Sequence, residues 1–299
     1  MRKEKLTLSR VLFNIFNYSF FAIFTFACFY PMWYVFIYSI SNPSKAAVTP
    51  VVLWPQGVST YNFIRVMELE GVFDAFIMSV LRTVIGTVLA VFSCLLLGYL
   101  FTKEQMPFRK FMYRMLIVTM YISGGLIPTY LVYRAYGLLN NFLIYVFPCV
   151  SAYYVILIKT YIESIPPSLE ESAVIDGAGP LTVFWKIITP LAIPIAATIA
   201  IYSAVDQWNA WFDNHIYTFN EPKLMTLSYL LYIYLSKAEA LAKQLETTRD
   251  QSLMNIAAML TPKGVRMTIT MVTVIPILLV YPFMQKYFIK GIMLGAVKG

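Results

Sequence analysis

The sequence predicts an all-α integral membrane protein with six transmembrane helices. Hydrophobic residues make up 59% of the 299 residues and charged residues only 13%, and the mean hydropathy is +0.68. Soluble domains are about half apolar and about a quarter charged, so lipid must solvate most of this chain. Several apolar runs reach the length of about 20 residues that a spanning helix needs. Because backbone groups cannot stay unpaired in hydrocarbon, runs of this length predict helices.

The positions of the apolar runs define the predicted organisation. The six spans cover residues 11–40, 74–101, 111–133, 142–160, 190–212 and 266–288. Residues 41–70 form a polar loop, residues 161–189 a polar hinge, and residues 213–265 the longest segment outside the membrane. Inside that last segment, MTLSYLLYIYL is too short to cross and is predicted to form a short amphipathic or interfacial helix. Since no repeat or linker indicates a second domain, residues 1–299 are predicted to form one transmembrane domain.

The distribution of basic residues predicts how the chain is oriented. The net charge of +8 comes from scattered Lys and Arg at the ends of apolar runs, which indicates membrane orientation and no nucleic-acid partner. One side of the six-span arrangement carries Arg2, Lys3, Lys5, Arg10, the basic cluster within residues 103–114, and Lys286, Lys290 and Lys298. The short loop 134–141 on the other side holds only Arg134. The positive-inside rule therefore places both termini and the hinge in the cytoplasm.

Sites for catalysis or metal binding are not predicted. Cys28, Cys94 and Cys149 lie within apolar runs and are interpreted as small buried hydrophobic residues. His215 is the single histidine, which gives histidine-based catalysis little support. The sequence contains no GxxxxGK[ST], HExxH or GxSxG motif. The chain is therefore predicted not to be an enzyme, and any ATP that drives it must bind to another polypeptide.

The hinge is predicted to be two short helices joined by a turn. Pro166 and Pro167 end the preceding helix. Ser168 and Glu171 have the spacing of a capping box, which predicts that a new helix begins at once. Gly177 permits the turn that ends this helix, and Gly179 is interpreted in the same way.

The second helix of the hinge is predicted to begin at Pro180, since proline suits the first helical position. Leu181, Phe184, Trp185 and Ile188 then recur at helical spacing and predict one apolar face. A compact cytoplasmic projection with an apolar face is typical of a docking site for another protein.

The hinge resembles the EAA loop of bacterial ABC importer membrane subunits. The resemblance is carried by Glu171-Ser172-Ala173, Asp176-Gly177-Ala178 and Ile187-x-Thr189-Pro190 at fixed spacing. Ser172 and Thr189 depart mildly from the family pattern. The resemblance implies an ABC importer permease fold in which this loop carries a coupling helix that docks on an ATPase subunit. The docking residues that it implies are Glu170, Glu171, Ala173, Asp176, Gly177, Ala178, Ile187 and Pro190.

Two further segments are similar to carbohydrate-uptake permeases, the group that includes the maltose-type importers. They are YPFMQKYFIKGIMLGAVKG at 281–299 and SGGLIPTYLVYRAYGLLNN at 123–141. The resemblance covers essentially the whole chain and is strongest to permeases for complex oligosaccharides. It implies a subunit in the bacterial cytoplasmic membrane that imports a sugar. The implied partners are a second, similar permease, two ATPase subunits and an extracytoplasmic solute-binding protein, with ATP and Mg on the ATPase and no cofactor on this chain.

Polar residues at the end of the fifth predicted span are candidates for the sugar path. Asp206, Asn209 and Trp211 lie in VDQWNAWFDN, and an ionisable residue in a spanning helix indicates a functional site. The alternative, equally weighted, is the polar end of a span with interfacial tryptophans. Arg82 is either the partner of Asp206 or a side chain that extends to the outer interface.

Other functions remain open from the residues alone. An ion-coupled secondary transporter would show inverted repeats and intramembrane acids, whereas this chain shows no obvious repeat and one such Asp. An ABC permease for a non-sugar solute and a six-span receptor or scaffold are further alternatives. Co-purification with a cytoplasmic ATPase separates the ABC permease from the other classes.

Overall fold

The structure is a computed structural model that describes residues 8–69, 71–236 and 262–296. These residues are helical apart from turns, loops and one isolated β-bridge between Ser41 and Val58. The chain divides into two compact units, Met1–Leu69 with Tyr234–Val274, and Glu70–Ile233 with Ile275–Gly299. That residues 1–299 form one transmembrane domain remains a prediction. The basic residues Arg2, Lys3, Lys5 and Lys298, and residues 237–261 of the predicted segment 213–265, lie outside the described residues.

The first unit is built on helix α1, Leu8–Ser39, and the short helices α2, Pro43–Val48, and α3, Tyr61–Met67. The predicted polar loop 41–70 therefore contains two helices. Asn42 caps α2, since its side-chain oxygen accepts hydrogen bonds from the backbone of Ser44 and Lys45 at 3.1 and 3.4 Å. The buried side chain of Asn62 donates to the carbonyls of Ser39 and Ser41 at 3.1 and 3.0 Å, and this holds α3 against the end of α1.

The second unit holds the hinge and the cavity described below. Its helices are α4 Val72–Leu100, α5 Arg109–Tyr121, α6 Leu126–Ala135, α7 Leu143–Val146, α8 Ala152–Glu163, α9 Pro167–Ile175, α10 Pro180–Leu191, α11 Ile193–Asn209 and α12 Phe212–Tyr217. Helix α13, Leu227–Ser236, begins in this unit, and helix α14, Pro262–Ala296, runs from the first unit into the second. A buried core of Cys94, Val155, Ile158, Phe184 and Ile199 joins α4, α8, α10 and α11.

Three helices are long and apolar enough to cross a membrane, within the part of the chain that the structure describes. They are α1, α4 and the stretch Lys263–Val280 of α14, which correspond to the first, second and sixth predicted spans. Helices α10 and α11 pass the same test only together, with a bend of 77° between them. Pro190 and Pro194 flank this bend and remove backbone donors there.

The third and fourth predicted spans do not form single continuous helices. The run 111–133 is interrupted at residues 122–125, where Gly125 has a φ of +80°. The run 142–160 is interrupted at residues 147–151, which contain Pro148. Composition alone does not show these breaks, since the interrupting residues lie inside apolar runs.

Two smaller predictions concern the segment MTLSYLLYIYL and the cysteines. The segment MTLSYLLYIYL forms a short helix, α13, and Leu227, Tyr229 and Leu230 in its first turn are buried; whether it is amphipathic or interfacial stays a prediction. Cys28 is exposed on α1 and only Cys94 is fully buried. The buried interpretation was therefore wrong for Cys28, because α1 makes few contacts along its length.

Candidate functional site

The hinge begins with a proline and not with the predicted capping box. Helix α9 starts at Pro167 and its N-cap residue is Pro166, which makes no side-chain capping bond. Ser168 is already inside the helix, and its carbonyl accepts a hydrogen bond from the Ser172 hydroxyl at 2.8 Å. The capping box was wrong because Pro167 suits the first helical position, where no backbone donor is needed.

The end of α9 is a glycine-dependent turn, as predicted for Gly177. Its φ is +85°, a conformation that residues with a side chain rarely adopt. The Gly177 amide donates to the Val174 carbonyl at 3.0 Å, and the Ala178 amide donates to the Ala173 carbonyl at 2.9 Å. These two bonds form a Schellman motif. Gly179 has a φ of −72°, which any residue can adopt, so its backbone conformation does not require glycine.

The eight predicted docking residues divide into an exposed set and a half-buried set. Glu171, Asp176, Gly177 and Pro190 are exposed, whereas Glu170, Ala173, Ala178 and Ile187 are half-buried. Ala173 and Ala178 pack against the buried core of the second unit. Three apolar side chains, Val174, Ile175 and Leu181, are 56%, 85% and 70% exposed. Together with Glu171, Asp176 and Gly177 they form a mixed acidic and apolar surface, called here the hinge tip.

The C-terminal end of α4 holds both helices of the hinge. Just beyond α4, Lys103 forms an ion pair with Glu170 on α9, and its ammonium lies 4.3 Å from the ring centre of Tyr99. The Tyr99 hydroxyl donates to the Pro180 carbonyl at 3.4 Å, at the start of α10. Sequence reasoning missed this link because its partners are 67 residues apart and no spacing signals it.

The predicted apolar face of α10 was wrong in part. Phe184 and Ile188 are buried at 1% and 2% exposure, but Leu181 and Trp185 are exposed. Residues Phe184–Ile188 form a π-helical turn, and the helical period used in the prediction does not hold through it. The Trp185 ring instead stacks on Phe92 of α4, with 5.9 Å between ring centres.

A polar cavity of about 300 Å³ lies in the second unit, and residues on both sides of the hinge in the sequence contribute to its lining. Hydroxyl and carboxyl groups dominate its polar lining, and the main contributors are Tyr133, Tyr154, Ser203, Asp206, Asp213 and Tyr217. Burial raises the pKa of the Tyr217 phenol, and the charges of Tyr133 and Asp213 raise it further, so this phenol is neutral at physiological pH. Such groups exchange hydrogen bonds with a polyhydroxylated solute.

Of the three residues predicted for the sugar path, Asp206 lines this cavity. Its carboxylate accepts a hydrogen bond from the Tyr154 hydroxyl at 2.6 Å. Asn209 is exposed and Trp211 is half-buried, and neither contributes to the cavity wall. The Trp211 ring stacks on Tyr232, with 4.2 Å between ring centres. One face of this tryptophan is therefore covered by another aromatic residue.

Arg82 pairs with Asp213, which corrects both predicted roles of this residue. One guanidinium nitrogen donates to Asp213 Oδ1 at 3.0 Å and a second pairs with Asp213 Oδ2. The side chain also donates to Gln207 Oε1 at 2.9 Å and to the Ala210 carbonyl at 3.1 Å, and it lies 4.5 Å from the ring centre of Tyr145. At 3% exposure, Arg82 does not extend to an interface, and Asp206 is not its partner.

A metal centre is not indicated by the described part of the chain. Within residues 8–69, 71–236 and 262–296, no group of three His, Cys, Asp or Glu side chains is placed to hold an ion. The arrangement of the cavity is suited to binding a polar solute by hydrogen bonds, and the hinge tip is suited to protein contact.

Known proteins are similar in sequence to this chain over almost its full length. No family model matches. The chain is 32% identical over 289 residues to the polygalacturonan/rhamnogalacturonan transport system permease protein YtcP of Bacillus subtilis, which covers 96% of this chain and 99% of YtcP. It is 28% identical over 279 residues to the melibiose/raffinose/stachyose import permease protein MelC of the same organism, covering 91% and 93% of the two chains.

A solved structure shares the fold. It is the crystal structure of a bacterial ABC transporter involved in the import of the acidic polysaccharide alginate. The TM-score is 0.82 at 28% sequence identity, over 94% of this chain and 98% of the matched chain.

Proposed function

Because this chain belongs to the family of ABC transporter permeases that serve carbohydrate import, we propose that it forms part of the membrane path of an oligosaccharide. It is an integral membrane protein and a transport subunit, not an enzyme. The observation that carries the proposal is full-length similarity to carbohydrate permeases, in sequence and in fold. An ion-coupled secondary transporter has no comparable support.

The polar cavity is the proposed place of sugar contact in this chain. Tyrosine and serine hydroxyls and the Asp206 carboxylate provide donors and acceptors, and tyrosine rings provide flat surfaces. Net hydrogen-bond contributions of about 0.5–1.5 kcal/mol each suit a path from which the sugar must leave again. Asn209 and Trp211 remain proposed path residues from the sequence, outside the cavity wall itself.

The hinge tip is the proposed docking surface for the ATPase subunit. It combines exposed carboxylates with exposed apolar side chains, a composition that fits burial in a protein cleft. The half-buried alanines let α9 lie close to the core, while Glu171, Asp176 and Gly177 face outward. The proposed assembly contains a second, similar permease, two ATPase subunits that bind ATP and Mg, and an extracytoplasmic solute-binding protein.

The proposed topology has six crossings, with both termini and the hinge in the cytoplasm. The crossings are α1, α4, α5 with α6, α7 with α8, α11 and α14. Closure of the ATPase pair on ATP would move the hinge, and rigid rotation of the attached helices would then switch access to the cavity. The ion pair of Lys103 and Glu170 supports this route, since α4 carries Arg82 at the cavity.

Gly177→Asp tests the docking surface and the transport function together. The aspartate would impose a side chain on a residue with positive φ and add charge at the hinge tip. In the complex reconstituted in liposomes with its binding protein, we expect sugar uptake to fall strongly and the ATPase to dissociate. The measurements are ATP-dependent oligosaccharide uptake and the amount of ATPase that co-purifies with the permease.

Gly137→Asp is the matched control. Gly137 also has positive φ, +66°, and as at Gly177 an added Cβ would meet nothing within 4 Å. The two variants therefore carry the same backbone strain and the same new charge at different turns. If Gly177→Asp transports as well as Gly137→Asp and retains its ATPase, the hinge tip is not the docking surface.

A further inference from the structure

We propose that the cavity at Asp206 admits uncharged oligosaccharides and disfavours acidic ones, an inference that rests on the proposed sugar transport. It names the charge class of the substrate, which family membership does not decide. A solved relative serves the import of an acidic polysaccharide, so the family as a whole does not exclude such substrates.

The charges that line the cavity come from three residues, Arg82, Asp206 and Asp213. Arg82 and Asp213 neutralise each other, since the Arg82 guanidinium donates to both carboxylate oxygens of Asp213. Asp206 has no such partner: among the described residues, no Lys or Arg forms an ion pair with it. The cavity therefore has one uncompensated negative charge.

Arg82 is not available to bind a carboxylate of the substrate. Its side chain is 4% exposed, and its nitrogens already donate to Gln207, Ala210 and Asp213. Strong recognition of an acidic sugar uses a cation that pairs with the carboxylate, because charge-assisted hydrogen bonds are stronger than those from neutral hydroxyls. Among the described residues that line this cavity, Arg82 carries the one full positive charge, and it is already bound to Asp213.

Asp206, by contrast, is presented to a ligand. The residue is exposed, and its Oδ2 accepts the hydrogen bond from Tyr154 while its second oxygen can accept from a sugar hydroxyl. A carboxylate in a partly enclosed cavity repels a second carboxylate more strongly than it would in water. This repulsion acts against uronic acids and leaves neutral sugars unaffected, so it gives selectivity by charge.

The experiment is sugar binding to the purified complex of the two permeases and two ATPase subunits, without the solute-binding protein and without nucleotide, measured by titration calorimetry. The probes are pairs of trisaccharides with the same linkage, one of neutral hexoses and one of the corresponding uronic acids. We expect the wild type to bind the neutral member at least about tenfold more tightly. Asp206→Asn should reduce this ratio about tenfold by strengthening the binding of the acidic member, since it removes the repelling charge.

Two further variants separate the effect of the Asp206 charge from the effect of a structural change. Tyr154→Phe removes the hydrogen bond to Asp206 but keeps its charge, so the preference for the neutral sugar should persist. Asp74→Asn removes an exposed acid of α4 that does not line the cavity, and it should leave both affinities unchanged. The wild-type ratio is informative by itself, even if a variant does not assemble.

The possible failures are distinguishable. Wild-type complex that binds the acidic member as tightly as the neutral one would overturn the charge selectivity and leave sugar transport standing. A ratio that Asp206→Asn does not change would show that another group sets the preference. Binding of no sugar pair by an intact complex with ATPase activity would overturn the proposed function itself.

Discussion

Arg82 shows how a single charged residue is tolerated inside an apolar helix. A charge in a membrane helix is costly unless it is paired and hydrogen-bonded. Here the side chain reaches a carboxylate, an amide oxygen, a backbone carbonyl and the face of Tyr145. Gly86 makes room for the Gln207 side chain, since a Cβ at this position would lie 2.5 Å from the Gln207 amide nitrogen.

At the scale of the residue, Asp213→Asn should destabilise the protein strongly. It removes the carboxylate that neutralises the Arg82 guanidinium, whose side chain is 4% exposed, and leaves that charge buried. Breaking such a pair costs about 3 kcal/mol or more. The measurement is the thermal unfolding of the purified complex, followed by circular dichroism or by aggregation.

The control for this variant is Glu68→Gln. Glu68 pairs with Arg65 at 3.4 Å, but both side chains are more than half exposed, at 58% and 60%. Water screens such a pair and the unfolding temperature should hardly change. Equal unfolding temperatures for the two variants would show that the Asp213 carboxylate is not needed to hold Arg82.

Packing between α4 and α8 depends on a small residue. A Cβ placed on Gly98 would lie 2.6 Å from Cγ2 of Ile158 and 3.2 Å from the Lys159 backbone nitrogen. Ile158 is itself fully buried at 0% exposure, so it has little space to move aside. Close approach of helices at glycine is typical of membrane proteins, because no hydrophobic force drives helices together in lipid.

At the scale of the element, Gly98→Ala should separate α4 from α8 and destabilise the second unit by about 1–3 kcal/mol, as overpacking does. A lower unfolding temperature of the purified complex would report this loss. Gly124→Ala is the control, since its added Cβ would lie 3.8 Å from Pro128, an ordinary contact. Unchanged stability of Gly98→Ala relative to Gly124→Ala would contradict the close helix contact.

The described residues leave much apolar surface uncovered by one another. Only 6% of the apolar window of α1 is buried, and phenylalanines such as Phe13, Phe16 and Phe20 are exposed. In water a surface of this kind would drive association. It is covered in a bilayer by lipid or by another subunit, in agreement with an integral membrane protein that works inside a larger assembly.

At the scale of the molecule, the purified chain alone should neither bind nor hydrolyse ATP. No GxxxxGK[ST] motif occurs in the 299 residues, so the phosphate-binding loop of such motors is missing here. The measurement is nucleotide binding and phosphate release by the chain in detergent, beside the complete complex. ATPase activity that stays with this polypeptide after removal of all other subunits would contradict the assignment as a transport subunit.

The amino-acid sequence alone is enough to predict that lipid surrounds this protein, that it is helical and where the hinge lies. These features depend on local properties: the length of apolar runs, the backbone freedom of Gly177 and the fixed spacing of acid, glycine and proline. Two local signals can also predict different helix starts. At the start of α9 the helix begins at Pro167, and the predicted capping box does not form. The breaks at residues 122–125 and 147–151 were missed because the prediction weighted the long apolar runs above Gly125 and Pro148, which lie where the helices are interrupted.

The pairing of charged side chains could not be predicted without the three-dimensional fold. Arg82 and Asp213 are 131 residues apart, and Lys103 and Glu170 are 67 apart, so no sequence spacing relates them. The same holds for the cavity, where helices from distant parts of the chain surround Asp206. Whether a charged side chain is paired depends on which helices pack around it. This packing is set by all the contacts of the unit together, so no local stretch of sequence predicts it.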